Sequence, residues 1–449
     1  MAVSSCNTGQ QIYLVFARLV GHNSKMRISV HTLGTRGDVQ PYVALSLGLM
    51  NQGHTVQLAA PAQFEAFVSE RGVSFTPLPG EFLALLDTPE GKAAVAGGQG
   101  FSAGFKLLGH VRPLMRRLLD AEWIAAKAFA PDLLIYHPKS IAGPHIGERL
   151  KIPTILASPL PGFTPTSAFP SPMLPMSSLG PFNKVSHQLA IKGAGVLFGK
   201  LLREWRKHSL DLQRGKPPGP VATVYGYSRQ LVPVPSDWNE SVLVSGYWFL
   251  DEHANWQMPE DLKAFLSSGE KPIYVGFGSM PGIDPQVLAS SLIEGLALSG
   301  KRGLLATGGG ALSLTEVPTH VHVIEAAPHE QLFKHVEAAL HHGGAGTTGA
   351  SLRAGVPTII CPFFGDQPFW GRRIASIGAG PPPIDRKTLT AEVLAAAFRA
   401  VGDPKMRDKA EEMGRLIREE DGVSAAIDFI DLHARLAYQN KASAPKPNG

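Results

Sequence analysis

The chain has 449 residues, 44% of them hydrophobic and 18% charged, which leaves room for two or three domains with large cores and excludes a disordered chain or a single small module. Its 42 Lys and Arg against 37 Asp and Glu give a net charge of +5, too thin over this length for a nucleic-acid footprint. Two cysteines, Cys6 and Cys361, exclude a disulfide framework, and neither has the paired spacing of a zinc site.

Taken in chain order, residues 1–25 read as an extension, with Met26 a second candidate start. The stretch 11–20 is apolar but lacks the basic flank of a signal peptide, and no run of 18 apolar residues could span a bilayer. A reducing, cytoplasmic compartment fits. From Met26 the pattern runs strand 27–32, helix 40–51, strand 55–60, helix 64–70 and strand 74–76, a βαβ rhythm. It resumes with strand 133–136, helix 141–150 and strand 154–157. Prolines then recur through 159–181 among Phe163, Phe169, Met173, Leu174, Met176 and Leu179, which predicts a long apolar loop.

A second alternating series follows: strand 272–277, helix 285–299, strands 302–307, 321–325 and 338–340, helix 347–354 and strand 358–361. After Pro404, two charged amphipathic helices are expected. The fold class is therefore α/β, with two Rossmann-like parallel-sheet domains facing across a cleft. The expected boundaries are an extension over 1–25, a first domain over 26–242, a linker over 243–259, a second domain with the C-terminal helices over 260–437, and a disordered tail over 438–449.

Ligands of open parallel sheets bind at the carboxyl ends of strands, where loops feed helix N-termini whose free N–H groups attract anions. Three such loops stand out: Leu33 to Asp38, Gly276 to Ser279, and His341 to Gly349. In the third, glycines let a backbone approach an anion, Thr347 and Thr348 can cap the helix and donate hydroxyls, and His342 can donate a ring N–H to a phosphate. Gly344 to Gly349 also spells G-x-G-x-x-G with Asp366 further on, the string of a nicotinamide or flavin enzyme. It follows two histidines late in the chain, however, not the first strand of a domain, which argues against that reading. No P-loop or nucleophile elbow occurs. The histidines at 320, 322, 329, 335, 341 and 342 lack metal-ligand spacing, and no D-x-D pair exists. An enzyme handling a diphosphate with these residues would neutralise it with helix ends, hydroxyls and imidazole.

Gly34-Thr35-Arg36-Gly37-Asp38-Val39-Gln40-Pro41, His341 to Thr348, and Pro362-Phe363-Phe364-Gly365-Asp366-Gln367 together resemble the GT-B glycosyltransferases. They are most similar to the branch of sterol 3-beta-glucosyltransferases and antibiotic glycosyltransferases, and the resemblance runs from Met26 to about Leu436. It implies inverting, metal-independent sugar transfer from a nucleoside diphosphate sugar, with the acceptor in the N-terminal half and the donor in the C-terminal half. It places Asp38 at the general base; the alternative is an Asp that only caps the following helix, with His31 and His137 the next candidate bases. Ser279, His342, Gly344, Gly346, Thr347 and Thr348 fall at the diphosphate loops, and Asp366 with Gln367 at the pair that binds sugar hydroxyls. Ala326 and Ala350 replace a base-stacking Trp and a ribose-binding Glu of the plant pattern, so UDP and dTDP both stay open.

The expected partners are UDP-glucose or a related nucleotide sugar as co-substrate, with no further cofactor, no metal and no nucleic acid. Loop 159–181 suits a bulky, sterol-like acceptor; segment 101–119 could add a wall to that pocket or touch a membrane surface. The alternatives are an antibiotic, polyketide or flavonoid glycosyltransferase, and a non-catalytic sugar-nucleotide or lipid-binding protein.

Overall fold

A computed structural model describes residues 25–81, 102–250, 256–278, 284–308, 310–314 and 316–443, with the backbone alone for 102–110 and 194. Residues 1–24 of the expected extension, Cys6 among them, and Ser279 lie outside these residues.

The first sheet contains β1 (Arg27–His31), β2 (Thr55–Pro61), β3 (Ser74–Leu78), β4 (Leu133–Tyr136), β5 (Thr154–Ser158), β6 (Ala222–Tyr225) and β7 (Val242–Val244). All are parallel, in the order β3-β2-β1-β4-β5-β6-β7. The second contains β8 (Ile273–Gly276), β9 (Gly303–Ala306), β10 (Val321–Ile324), β11 (Ala338–His341) and β12 (Thr358–Ile360), parallel in the order β10-β9-β8-β11-β12. Central strands such as Leu133–Tyr136 and Ile273–Gly276 are buried at every residue, as sheets covered on both faces require.

The helices in chain order are α1 (Arg36–Asn51), α2 (Glu65–Ser69), α3 (Ser102–Phe129), α4 (Gly143–Leu150), α5 (Asn183–His208), α6 (Glu260–Ser267), α7 (Pro285–Ser299), α8 (Ala345–Arg353), α9 (Gln367–Ile377), α10 (Ala391–Ala400), α11 (Pro404–Arg418) and α12 (Gly422–Ser443). In both sheets the strand order reverses beside the first strand, between β1 and β4 and between β8 and β11. Chain leaving those strands therefore diverges to opposite sides and opens a crevice at their carboxyl ends. The loops that leave them begin at Thr32, His137, Phe277 and His342, so the topology gathers the loops singled out from the sequence.

Three boundaries differ from expectation. Val242–Val244 pairs with β6 as the seventh strand, so the crossing between domains starts after Val244, not at 243. Helix α12 runs to Ser443, so 438–443 are helical; residues 444–449 of the expected tail lie outside the described residues. Finally, the two C-terminal helices part company. Ala410, Met413 and Ile417 of α11 pack with Leu352 and Trp370 of the second domain, whereas Ala426, Ile427, Ile430 and Ala434 of α12 pack with Ile28, Val43 and Leu45 of the first. Burial of its apolar stripe decides the domain of α12, and sequence adjacency does not. A core cluster joining Tyr225, Tyr227 and Val244 to Phe369 and Trp370 ties the halves together.

Candidate active site

Asp38 sits at the third position of α1, whose N-cap is Thr35. Its Oδ2 accepts the Thr35 N–H at 2.9 Å, closing the turn as an N-terminal acidic residue does. Lys139, in the loop after β4, donates its ammonium to both carboxylate oxygens at 2.8 Å. His137 Nε2 lies 3.4 Å from Oδ1. Because His137 Nδ1 accepts the Lys139 N–H at 3.0 Å, a neutral His137 carries its proton on Nε2, toward Asp38. Burial pushes the Asp38 carboxyl up, but Lys139 and then His137 outweigh it and hold the group well below the usual carboxylate range. Gly34 makes this packing feasible: its φ is +132°, and a Cβ there would stand 2.1 Å from Asp38 Oδ2 and 2.8 Å from Lys139 Nζ.

The other histidine candidate for a base is walled in. His31 is fully buried, with Nδ1 3.0 Å from Glu122 Oε2 and Nε2 3.0 Å from Ser29 Oγ, and so belongs to a network beneath the loop.

Across the cleft, α8 begins directly after His342-Gly343-Gly344, with Gly344 as its N-cap. Thr347 and Thr348 therefore lie in the first turns and do not cap the helix. Thr348 is fully buried, and its hydroxyl meets no partner among the described residues and no solvent, so it points into the core and away from the helix end. Thr347 is half-buried and Gly346 exposed; among the described residues nothing lies within 4 Å of a Cβ built on Gly346, at the helix N-terminus. His342 is pushed down to about 4 by burial and is neutral at pH 7. It can offer an N–H to an anion, without a charge.

The third loop joins β12 to α9. Gln367 Oε1 accepts the N–H groups of Phe363 at 2.7 Å and Phe364 at 3.1 Å, so its oxygen shapes the loop. Asp366 Oδ2 accepts the indole N–H of fully buried Trp370 at 2.6 Å, leaving Oδ1 as the oxygen able to meet a ligand. Burial raises the Asp366 carboxyl; the Asp38 charge raises it further and Lys139 opposes it. Those couplings carry across the cleft, as does that of Arg36 on His329, which also feels His342. Asp366 thus lies within reach of Asp38 and Lys139, and His329 within reach of both Arg36 and His342, so the three loops gather around one cleft with the N-terminus of α8 beside His342. Lys139 was missed by sequence reasoning; the signal was its place two residues beyond His137, in the loop that leaves a strand at the topological switch.

Residues 28–170 match the Glycosyltransferase family 28 N-terminal domain, and residues 307–420 match the Erythromycin biosynthesis protein CIII-like C-terminal domain. A sterol 3-beta-glucosyltransferase of Arabidopsis thaliana is 34% identical over 94% of this chain, which covers 68% of that protein. The chain belongs to the GT-B glycosyltransferase family. Within it, the chain stands in the branch of sterol 3-beta-glucosyltransferases and antibiotic glycosyltransferases. A sterol 3-beta-glucosyltransferase of Aspergillus fumigatus is 37% identical over 94% of this chain, which spans about a third (31%) of that relative's length. Solved GT-B structures share the fold. The calicheamicin glycosyltransferase matches with a TM-score of 0.68 at 19% identity, covering 94% of this chain and all (100%) of that one. A Streptomyces sp. SF2575 glycosyltransferase complexed with thymidine diphosphate matches at 0.57 and 22% identity, covering 92% and 99%.

Proposed function

We propose that this GT-B chain transfers glucose from UDP-glucose to the hydroxyl of a sterol-like acceptor, with inversion and without a metal. The acceptor hydroxyl gives its proton to Asp38 as its oxygen attacks the anomeric carbon. The bond from that carbon to the diphosphate breaks, and its electron pair leaves on the phosphate oxygen. The first-turn N–H groups of α8, the Thr347 hydroxyl and the neutral His342 imidazole receive the growing negative charge, while Asp366 and Gln367 hold the sugar. Donors aimed at a leaving diphosphate do the work for which other enzymes use a cation. Among the described residues no three His, Cys, Asp or Glu side chains converge to hold one.

The observation that carries this reading is the nearness of Asp366 to Asp38, close enough for the Asp38 charge to raise the Asp366 carboxyl, with Lys139 holding Asp38 ionised. Sterol glucosylation by relatives 34–37% identical supports the acceptor class. Among the described residues no helix is long and apolar enough to cross a membrane. The thymidine diphosphate held by a structural neighbour makes dTDP-sugars the donor to test beside UDP-glucose.

The test is a panel of sterols, polyketides and flavonoids with UDP- and dTDP-sugars, read by mass spectrometry with and without EDTA. Glucosylated sterol formed equally in EDTA is the expected result. Turnover that EDTA abolishes and added metal restores removes the metal-free mechanism. Product only from a polyketide with a dTDP-sugar replaces the substrate assignment, and nucleotide binding without product makes the chain a binding protein.

A further inference from the structure

Helix α5 carries a surface that the proposed chemistry does not use. Residues 188–193 and 195–197 are exposed on every side of the helix, yet from Gln188 to Leu197 the only charged residue is Lys192. Val196 is 85% exposed, and Phe182 and Leu189 66% each. Val185, Leu189 and Val196 recur at spacings of four and seven, which is one helix face, and Phe182 begins the same stripe just ahead of α5. Such a stripe in water normally marks an interaction site.

Its charge identifies the partner. Lys184, Lys192, Lys200, Arg203 and Lys207 of α5 are all exposed, against one exposed carboxylate on the helix, Glu204. Lys192 and Arg203 fall on the apolar stripe itself, three residues past Leu189 and seven past Val196, where long cationic side chains can reach from an apolar layer to polar headgroups. A second copy of the chain would bring two cationic helices together, an arrangement their charges oppose. An anionic lipid surface satisfies both signals at once.

The same face adjoins a groove of about 340 Å³, whose walls include Met173, Leu174, Leu179, Phe182, Val185 and Leu189. That segment is pinned beside the donor loop: Arg372 of α9 donates to the carbonyls of Leu174, Pro175 and Met176, and a Cβ on Gly365 would stand 3.9 Å from Met173 Cε.

We infer that α5 seats the chain on an anionic bilayer and that the groove takes an apolar acceptor from the bilayer toward Asp366. This deepens the proposed function by naming where the acceptor is collected; it rests on that reading for the acceptor and not for the lipid contact. The test is flotation of the full chain with vesicles of phosphatidylcholine containing about 30% phosphatidylserine, the kind of anionic surface that attracts such a segment. The variant is Lys192→Glu with Val196→Glu, two exposed positions outside the groove. The wild type should float, and bound protein should fall by roughly tenfold in the variant, since each basic residue near an anionic surface contributes about fivefold. Melting temperature and turnover on detergent-dispersed acceptor should stay at wild-type values, while turnover on vesicle-embedded acceptor drops.

Wild-type protein that stays at the bottom of the gradient overturns the inference, and so does a variant that floats as well as wild type. A wild-type dimer that the variant dissolves, with no vesicle binding, assigns the face to self-association instead. Flotation needs neither donor nor acceptor. Inactive protein that floats would therefore sink the proposed function alone, and active protein that does not float would sink this inference alone.

Discussion

The two topological switch points solve opposite electrostatic problems. At the first, Asp38 is enclosed by partners: Thr35 N–H, the Lys139 ammonium and His137 occupy its oxygens before any substrate arrives. At the second, the N-terminus of α8 meets no side chain over Gly346 among the described residues and lies beside a neutral imidazole. Under the proposed function, the α8 side is preorganised to receive charge, whereas the Asp38 side stores a charge whose basicity Lys139 suppresses. On this reading Lys139 must yield some of its hold as the acceptor hydroxyl approaches.

The largest effect that could break this contrast is expected from Asp38→Asn. Loss of a positioned general base should lower turnover by about 10² to 10⁴. UDP affinity should not change if, as proposed, α8 holds the diphosphate. Asn is not a neutral replacement here. Either orientation turns its NH2 toward a donor, Thr35 N–H and Lys139 on one side or Lys139 and His137 on the other, so the melting temperature should also fall. Steady-state kinetics with UDP calorimetry checks the split. A variant keeping more than roughly a tenth of wild-type turnover would return Asp38 to a purely capping role.

His342→Ala probes the other side and comes next in size. A hydrogen bond to a charged group contributes about 1.5 to 3 kcal/mol, so UDP should bind roughly 10- to 150-fold more weakly. The wild-type affinity for UDP-glucose, whose diphosphate has no proton that titrates in this range, should be flat from pH 6 to 8, because burial pushes His342 down to about 4. Calorimetry across that range is the measurement. Affinity that strengthens steeply toward pH 6 would mean that His342 binds as a cation and that the donor side is less settled than the geometry implies.

Lys139→Met tests the suppression itself. Asp38 acts as a base only when ionised, and removing its first counter-charge leaves burial to push its carboxyl up. The acid limb of the kcat/KM profile should therefore move to higher pH, with activity lost as pH falls toward 5 and turnover near pH 8 changed several-fold at most. Lys139→Arg should restore the wild-type limb. Identical limbs in all three proteins would show that the ion pair is absent from the reacting state.

Much of this contrast was legible in the sequence, because strands that alternate with helices place their loops at one edge of a sheet. Asp38, His342 and Asp366 could be named from such loops together with the family pattern. Lys139 was not, since its partner lies 101 positions away and only its place in the loop after β4 points to it, not the pairing itself. Nor could the use of the Gln367 oxygen, which is spent on the N–H groups of Phe363 and Phe364 and depends on how tightly that loop turns. Thr348 was overread: a hydroxyl in a glycine-rich string suggests a ligand, but one residue along a helix rotates it by about 100° into the core. The split between α11 and α12 escaped for a similar reason, as two amphipathic helices in sequence do not say which core takes each stripe.

Glu420 offers the smallest effect and the sharpest counterpart to Asp38. Both carboxylates are largely shielded from water, but among the described residues Glu420 has only the Ser228 hydroxyl at 3.0 Å and Arg229 at 3.9 Å, and its Oε2 is buried with no partner there. Burial therefore prevails, and the group is pushed up to about 7. In the unfolded chain it loses its proton near 4.5, so between about 4.5 and 7 the folded state holds more protons and stability falls as pH rises. Glu420→Gln, which keeps an oxygen for Ser228, should remove that slope. It should match wild type near pH 4.5 and be more stable by about 1 to 3 kcal/mol above pH 7, a shift of a few degrees in melting temperature. Thermal melts at pH 5 and pH 8 decide it. A variant less stable than wild type at pH 8 would show that Glu420 is ionised and paired in the folded protein, as Asp38 is, and the difference drawn between the two carboxylates would fail.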